Sequence, residues 1–270
     1  FTISSDGTTI TEVATLEHDT DDGTFNSLVQ VDSDTYALAY AGDDPDANFS
    51  GNGFISTFDI DSTGDITPIK VANHVALGEG SSVNLEHDAV KAAYNSLVQV
   101  DSDTYALAYA GSAGLNGFIS TFTISSSGVI TAVKTQSLTN NLQHDTTKGE
   151  FNSLVQVDSD TYALAYAGSG ADGHISTFTI SADGSTTLVE VESKEHDLAM
   201  GRSNSLVQVD SDTYALAYTG DANVGYISTF DISSSGAITA VKTQSLGNNL
   251  EHDTVQGEFN SLVQVDSDTY

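Results

Sequence analysis

The chain has 270 residues, no cysteine and a formal net charge of −31, with 7 lysines and arginines against 38 aspartates and glutamates. This balance excludes a nucleic-acid partner, which needs a basic surface to displace counterions, and it disfavours anionic membranes. Without cysteine there is no disulfide and no thiolate zinc site, and no apolar run approaches the length of about 18 residues that predicts membrane insertion.

One eleven-residue string, Asn-Ser-Leu-Val-Gln-Val-Asp-Ser-Asp-Thr-Tyr, occurs five times without a change. Its copies begin at Asn26, Asn95, Asn152, Asn204 and Asn260. Repetition at this spacing is typical of propellers and other repeat arrays. We therefore predict a single domain over residues 1–270, with repeat units that start near positions 26, 95, 152, 204 and 260.

Six β-like runs follow one another from the N-terminus through the first full unit, separated by turns rich in Asp, Ser and Gly. They are Phe1–Ser4, Ile10–Leu16, Leu28–Val31, Thr35–Ala41, Phe54–Ile60 and Ile66–Val71. The last four recur in the same order in later units. The first two match the third and fourth runs of a unit, so residues 1–25 are assigned to the unit that closes the ring.

The run Thr35–Ala41 alternates between bulky and small side chains. Its tyrosines and leucine point to one face of the strand and its alanines to the other, and neither face is polar. Four short antiparallel strands per unit, buried on both faces, predict an all-β fold, a β-propeller of four-stranded antiparallel blades. The alanine face would let the next blade approach, and the bulky face would fill the space between the sheets.

The two ends of the chain together form most of a fifth blade. They lack the hairpin that corresponds to Ala215–Thr229 in the fourth unit. The sequence therefore predicts five blades, four complete and a fifth split between the termini. Two interpretations stay open: the chain is a segment of a longer gene product, or it folds with unpaired strand edges that favour self-association or a capping partner.

The layout of the unit resembles the WD40-type blade. Leu16–Asp19 takes the place of that family's Gly-His segment, Asp32–Asp34 falls at the first hairpin, and Ile55–Asp59 lies where Trp-Asp ends the third strand. Phe58 replaces the tryptophan, and the glycine before the histidine is absent. The repeat is also similar to highly regular, mostly uncharacterised bacterial propeller repeats. Both resemblances imply the architecture and no particular function.

A His-Asp pair occupies the same position in every unit. The five pairs are His18 and Asp19, His87 and Asp88, His144 and Asp145, His196 and Asp197, and His252 and Asp253. Such a pair can act as a general base or as a metal ligand with its supporting carboxylate. Because all units repeat it, we interpret it as structural. The WD40-type resemblance implies that the histidine hydrogen-bonds within its blade.

The acidic loops are candidates for calcium. Asp19–Gly23 and Asp43–Asn48 have the Asp, Asn and Gly content of calcium loops but lack the spaced glutamate of an EF-hand. The Asp-Ser-Asp string reads as a turn whose carboxylates bond their own backbone amides. The sequence therefore predicts no cofactor and no metal site, with Ca²⁺ as the alternative.

An active site needs carboxylates in unlike environments, whereas the inner strand reads Leu-Val-Gln-Val in all five units. On this ground we predict no enzyme. The chain is expected to be a non-enzymatic binding or display module, extracellular or on a cell surface, whose loops on one propeller face bind a glycan or protein ligand multivalently. The candidate ligand-binding residues are the loop aromatics Phe25, Phe49, Tyr94, Phe151 and Phe259. The alternatives are a structural repeat unit of a longer surface protein, an engineered symmetric scaffold and a propeller-type glycoside hydrolase.

Overall fold

The computed structural model describes residues 1–19, 22–43, 50–69, 84–112, 114–136, 138–266 and 269–270. In these ranges the regular structure is antiparallel β-sheet with three short 3₁₀ turns, Ser169–Ala171, Asp221–Asn223 and Gln244–Leu246. A helix with the length and hydropathy to cross a membrane is not found in these ranges. The predicted all-β fold is confirmed, and the chain is a β-propeller of about five blades.

Each of the four large sheets is one blade, and its four main strands are hydrogen-bonded in chain order. The first blade contains β3 (Gly23–Gln30), β4 (Thr35–Asp43), β5 (Ser50–Ile60) and β6 (Ile66–Pro68). The second contains β8 (Ala92–Gln99), β9 (Thr104–Gly111), β10 (Asn116–Ile124) and β11 (Ile130–Lys134). The third contains β13 (Glu150–Gln156), β14 (Thr161–Ala167), β15 (Gly173–Thr179) and β16 (Val189–Asp197). The fourth contains β17 (Arg202–Gln208), β18 (Thr213–Thr219), β19 (Gly225–Ile232) and β20 (Ile238–Lys242).

The N-terminal residues form a separate hairpin of β1 (Thr2–Ile3) and β2 (Ile10–Thr11). Its register, Ile3 opposite Ile10, is the one that Ile124 and Ile130 have between the third and fourth strands of the second blade. The hairpin therefore has the register of a third and fourth strand of a blade.

The outer edge of each complete blade ends in the His-Asp pair. Three short strands continue this edge and pair with the third strand of their blade: β7 (Asn84–Asp88), β12 (Leu142–Asp145) and β21 (Leu250–Asp253). In the third blade the single strand β16 is both the fourth strand and the strand that ends in the His-Asp pair. After the pair, the chain crosses to the inner strand of the next blade.

The blades pack bulky face against small face. Ala37 and Ala39 of the first blade lie in one buried cluster with Tyr105, Leu107 and Phe122 of the second. The same arrangement recurs between the second and third blades and between the third and fourth. The predicted roles of the alanine and tyrosine faces are therefore confirmed. Burial of these aromatic rings, each of about 150–250 Å², is the main stabilisation between blades.

The serine of the repeated string joins neighbouring inner strands. Its hydroxyl accepts a hydrogen bond from the backbone N–H of the leucine in the next unit. The four pairs are Ser27 with Leu97 (2.9 Å), Ser96 with Leu154 (3.0 Å), Ser153 with Leu206 (2.9 Å) and Ser205 with Leu262 (2.8 Å). The last pair shows that the fifth copy of the string lies against the fourth blade as the other copies lie against their neighbours.

Replacing Ser153 by Ala should destabilise the protein by about 1 kcal/mol, because the Leu206 amide loses its acceptor at a partly buried position. Chemical denaturation monitored by circular dichroism measures this loss. Ser261→Ala is the matched control, since Ser261 has the same place in the fifth copy and is exposed. Equal losses in the two variants would contradict a role of this bond in joining blades.

Candidate functional site

The repeated strings of all five units begin around one cavity of about 360 Å³. Each unit contributes two consecutive residues to its wall, the asparagine that opens the repeated string and the residue before it. The lining residues are Phe25, Asn26, Tyr94, Asn95, Phe151, Asn152, Ser203, Asn204, Phe259 and Asn260. The cavity, which we call the axial cavity, therefore lies on the axis of the propeller.

The residue before each asparagine has a left-handed backbone, and in the four complete blades it lies in a β-bulge of the inner strand. The φ angles are 54° for Phe25, 56° for Tyr94, 56° for Phe151, 50° for Ser203 and 58° for Phe259. This conformation costs roughly 1–2 kcal/mol for a residue other than glycine. Non-glycine residues held in such conformations cluster at ligand sites, where surrounding contacts enforce them.

Aromatic rings form an incomplete collar around the axial cavity. Phe25 and Tyr94 have ring centroids 4.6 Å apart, and Tyr94 and Phe151 are 4.3 Å apart. Ser203 interrupts the collar in the fourth unit, and Phe259 is 87% exposed. Four of the five predicted ligand-binding aromatics thus converge on one cavity rather than forming separate equivalent sites.

The fifth of those aromatics, Phe49, lies outside the described residues. It also differs from the other four in sequence context, because it does not precede a copy of the repeated string. In an alignment of the five copies, the residue equivalent to the other four aromatics is Ser203.

The asparagines are the lining residues that the sequence interpretation missed. Asn152 Nδ2 donates to the carbonyl of Tyr94 (3.1 Å) in the neighbouring blade and to that of Gly149 (2.8 Å) in its own. Asn95 and Asn204 repeat this pattern. Because both donors are used, the amide oxygen remains as an acceptor, and the buried Oδ1 atoms of Asn95, Asn152 and Asn204 have no partner among the described residues. The sequence did contain a sign of these lining residues, because every copy of the repeated string begins with asparagine.

The five units differ two residues before each asparagine, at the position directly before the cavity lining. The five residues at this position are Thr24, Ala93, Glu150, Arg202 and Glu258. Glu150 is buried and pairs with Lys148 (Nζ to Oε2, 3.3 Å), whereas Glu258 is exposed. Burial raises the pKa of the Tyr94 phenol, the charge of Glu150 raises it further, and Arg202 acts in the opposite direction. Charged groups of two units therefore lie near one collar tyrosine.

The histidines of the His-Asp pairs are wedged between blades. His196 lies in T-shaped contact with Tyr218 of the next blade (4.8 Å) and against the Cα of Gly173 in its own. His87 and His144 are placed in the same way, and His18 contacts Tyr40 at 4.7 Å. His252 has no neighbouring fifth-blade tyrosine among the described residues and is exposed.

The hydrogen bond expected of these histidines is not what the structure shows. Both ring nitrogens of His87, His144 and His196 are buried without a partner in the described part of the chain. Each imidazole is packed between an aromatic ring on one side and a glycine of its own blade on the other. Burial lowers the pKa of His87 and His196 to about 3 and that of His144 to about 4.

The aspartates supply the polar link that was expected of the histidines. Asp197 Oδ1 accepts from the amides of Ala199 (2.9 Å) and Met200 (3.1 Å), and its Oδ2 accepts from the Tyr218 hydroxyl (3.1 Å). Asp88, Asp145 and Asp253 accept two backbone amides each in the same way, and Asp19 accepts the amide of Asp22. These carboxylates shape the turn that leads into the inner strand.

The acidic turns carry no metal cluster in the described residues, where no three His, Cys, Asp or Glu side chains converge. Residues 20–21 and 44–49 of the two calcium-like loops lie outside those residues. In the Asp-Ser-Asp turn, the first carboxylate accepts from the serine amide, as Asp32 does from Ser33 at 2.7 Å. This is the self-bonded turn that the sequence predicts.

No family model and no curated protein matches the chain. Among solved structures, an exo-β-1,3-galactanase from Phanerochaete chrysosporium with bound β-1,3-galactotriose is 14% identical, with a TM-score of 0.47 over 89% of this chain and 52% of that one. A GH43_1 enzyme from Xanthomonas citri complexed with xylose is 11% identical, with a TM-score of 0.44 over 82% and 73% of the two chains. A protein of unknown function from Dyadobacter fermentans is 13% identical, with a TM-score of 0.49 over 81% and 64%. The chain spans about half the length of the galactanase.

The expectation of a non-enzymatic module, and with it the exclusion of an enzyme, is contradicted by these comparisons, since the neighbours include glycoside hydrolases. That expectation rested on the Leu-Val-Gln-Val segment, which is the same in all five units. Positions 150, 202 and 258 lie two residues before the repeated string, and the residues there differ from unit to unit. At sequence identities of 11–14%, the similarity to these solved structures shows only the fold.

Proposed function

We propose that the chain acts on a carbohydrate, as a glycoside hydrolase whose substrate lies in the axial cavity. The observation that carries this proposal is the pairing of aromatic rings with unpartnered amide oxygens in one cavity wall. A pyranose ring has apolar C–H faces that pack on aromatic rings and hydroxyl groups that donate to acceptors. The volume of about 360 Å³ falls within the range of about 300–1,000 Å³ of small-molecule cavities.

Glu150 and Glu258, each directly before the two residues of its unit that line the axial cavity, are the proposed catalytic carboxylates. Glycoside hydrolysis uses a pair of acidic residues, and their environments must differ so that one can donate a proton while the other stays ionised. Glu150 is buried beside Lys148, and Glu258 is exposed and accepts a hydrogen bond from Gln256 Nε2 (3.4 Å). Arg202 lies at the same position of the unit between them and adds positive charge.

Three further expectations belong to the proposal. Action on glycans suits an extracellular or cell-surface location. Hydrolysis by a carboxylate pair needs no cofactor. The WD40-type character of the blade is kept as an interpretation of its layout, in which the outer His-Asp pair precedes each inner strand.

The experiment is incubation of the chain with β-1,3-galacto-, xylo- and arabino-oligosaccharides, with product analysis by chromatography and binding by calorimetry. We expect hydrolysis of at least one of them. Glu150→Gln and Glu258→Gln should each reduce the rate by about 100-fold or more while binding persists. Phe151→Ala should weaken binding about tenfold, because it removes a ring from the collar.

Glu251→Gln is the matched control, since Glu251 is an exposed carboxylate on the outer strand β21 and does not adjoin the residues that line the cavity. Its rate should equal that of the unchanged protein. Binding without any hydrolysis would contradict the hydrolase, and a rate that survives both glutamine substitutions together would contradict the assigned carboxylates.

A further inference from the structure

Arg202 is the only arginine of the chain, and it stands at the position where the five units differ. It directly precedes Ser203 and Asn204, which line the axial cavity. The Asn204 side-chain amide donates to the carbonyl of Phe151 (3.0 Å), so this part of the fourth unit is fixed against the third. The one guanidinium of a chain with net charge −31 is therefore held at the edge of the proposed sugar site.

This guanidinium lacks the kind of partner that the buried glutamate at the same position of the third unit has. Glu150 pairs with Lys148, two residues earlier in the chain (3.3 Å). The residue two positions before Arg202 is Met200, which has no carboxylate. In the described part of the chain Arg202 forms no ion pair, and its buried Nε has no hydrogen-bond partner. Buried donors without a partner are uncommon in native proteins, and a ligand is one way in which such a donor is satisfied.

Ser203 leaves the aromatic collar open beside the guanidinium. The other four units have a phenylalanine or tyrosine at this position, so the cavity wall is small and polar in the fourth unit alone. Burial and the charge of Glu150 raise the pKa of the Tyr94 phenol, and Arg202 lowers it. The positive charge of Arg202 therefore acts on the collar next to its opening.

We propose that the axial cavity takes an acidic glycan, in which the carboxylate of a uronic acid binds Arg202 through the opening at Ser203. This inference rests on the proposed action on a carbohydrate and names the class of carbohydrate. A planar carboxylate matches two parallel N–H donors of a guanidinium, and such charge-assisted pairs are stronger than neutral hydrogen bonds. The rings of Tyr94 and Phe151, 4.3 Å apart, pack on the apolar face of the adjoining neutral sugar.

The negative charge of the whole chain does not prevent this contact. At physiological ionic strength, exposed charges more than about 8 Å apart are largely screened from each other. Glu150, whose charge also acts on Tyr94, is already paired with Lys148. The local contact with Arg202 therefore decides whether an anionic group is accepted, and its contribution should decrease as salt is added.

The test uses two pairs of oligosaccharides, one pair with a β-1,3-galactan backbone and one with a xylan backbone. The members of a pair differ only in a glucuronic acid branch, whose carboxylate is intact in one and reduced to the alcohol in the other. Calorimetry with the full chain gives the dissociation constants, and chromatography of each sample afterwards reports any hydrolysis. In at least one pair the acidic member should bind about tenfold more tightly, and this preference should shrink when NaCl is raised from about 20 mM to about 500 mM.

Variants assign the preference to Arg202. Arg202→Gln should bind both members of a pair equally, whereas Arg202→Lys should keep a preference of about two- to threefold, since an ammonium retains the charge but not the paired donors. Lys242→Gln is the matched control, because Lys242 is an exposed cation on the outer strand β20, and the tenfold preference should remain. Ser203→Phe closes the collar and should remove most of the preference. Three other units already have phenylalanine at this left-handed position, so that variant is expected to fold.

Equal affinity within both pairs, or binding of no member of either pair, would overturn this inference. A preference that survives Arg202→Gln would also overturn it, because another group would then hold the carboxylate. A preference that depends on Arg202 but is accompanied by no hydrolysis would support the acidic ligand and contradict the hydrolase. Hydrolysis of neutral oligosaccharides without any preference for the acidic members would do the reverse.

Discussion

Lowering the pH from 7 to 5 should reduce the free energy of unfolding by about 6 kcal/mol through three buried histidines, about 2 kcal/mol for each. His87, His144 and His196 have folded-state pKa values of about 3, 4 and 3 against 6.5 for an ordinary histidine, because burial disfavours the charged ring. Their ring nitrogens have no hydrogen-bond partner in the described residues, and the charge of Asp145 offsets part of the effect of burial on the pKa of His144.

The direction follows from where protons bind. Below pH 6.5 the unfolded chain protonates these histidines while the folded chain keeps them neutral, so protons favour unfolding. The contribution is fully present above pH 6.5 and is lost progressively as the pH falls towards the folded values of about 3 to 4. Protonation of carboxylates acts in the opposite direction, because it relieves repulsion within a chain of net charge −31. The contribution of one histidine is therefore measured by comparing the protein with a variant that lacks it.

His196→Phe keeps a ring against Tyr218 and removes the titrating group. The decrease in the free energy of unfolding between pH 7 and pH 5 should be about 2 kcal/mol smaller in this variant. This difference is expected even if the larger ring lowers stability at pH 7. His252→Phe is the control, because His252 has the same place in the sequence but is exposed. Chemical denaturation at several pH values gives the comparison, and parallel curves for His196→Phe and the unchanged protein would show that this histidine is not the source.

Gly173→Ala should destabilise the protein by about 3 kcal/mol, the upper part of the range for overpacking a buried site. A Cβ at this position would lie 2.6 Å from His196 Cε1 and 3.2 Å from the Cα of Gly201. The imidazole cannot move aside, because Tyr218 and Phe230 of the next blade hold its other side. The predicted loss of stability therefore depends on the packing between the third and fourth blades.

Gly225→Ala provides the matched control for that substitution. Its Cβ would lie 2.5 Å from His252 Cε1 and 3.1 Å from the Cα of Gly257, nearly the same local geometry. His252 is exposed and can swing away, so we expect a loss below about 1 kcal/mol. In addition, His196→Ala should suppress most of the extra cost of Gly173→Ala in a double-mutant cycle. Equal losses for the two glycines would mean that the backbone contact, rather than the histidine, sets the cost.

The candidate site was only half visible in the sequence. Phe25, Tyr94 and Phe151 could be picked as loop aromatics, but that they form one collar depends on the bulge that turns each residue towards the axis. Asn152 was hidden inside a string interpreted as strand packing, although its side chain links two blades and lines the cavity. The difference between Glu150 and Glu258 in burial exists only once the blades are packed.

The sequence by itself determined the blade. The alternation of bulky and small side chains and the residues of the turns are local features, and five copies of one string imply one structure repeated in every unit. It also determined which face meets which, because only the alanine face of Thr35–Ala41 admits the tyrosines of the next blade. Only the tertiary structure decided that His87 is buried with no hydrogen-bond partner among the described residues, because its surroundings come from two different blades. The axial cavity was decided in the same way: its wall takes two residues from each of five units, and their convergence is a property of the ring.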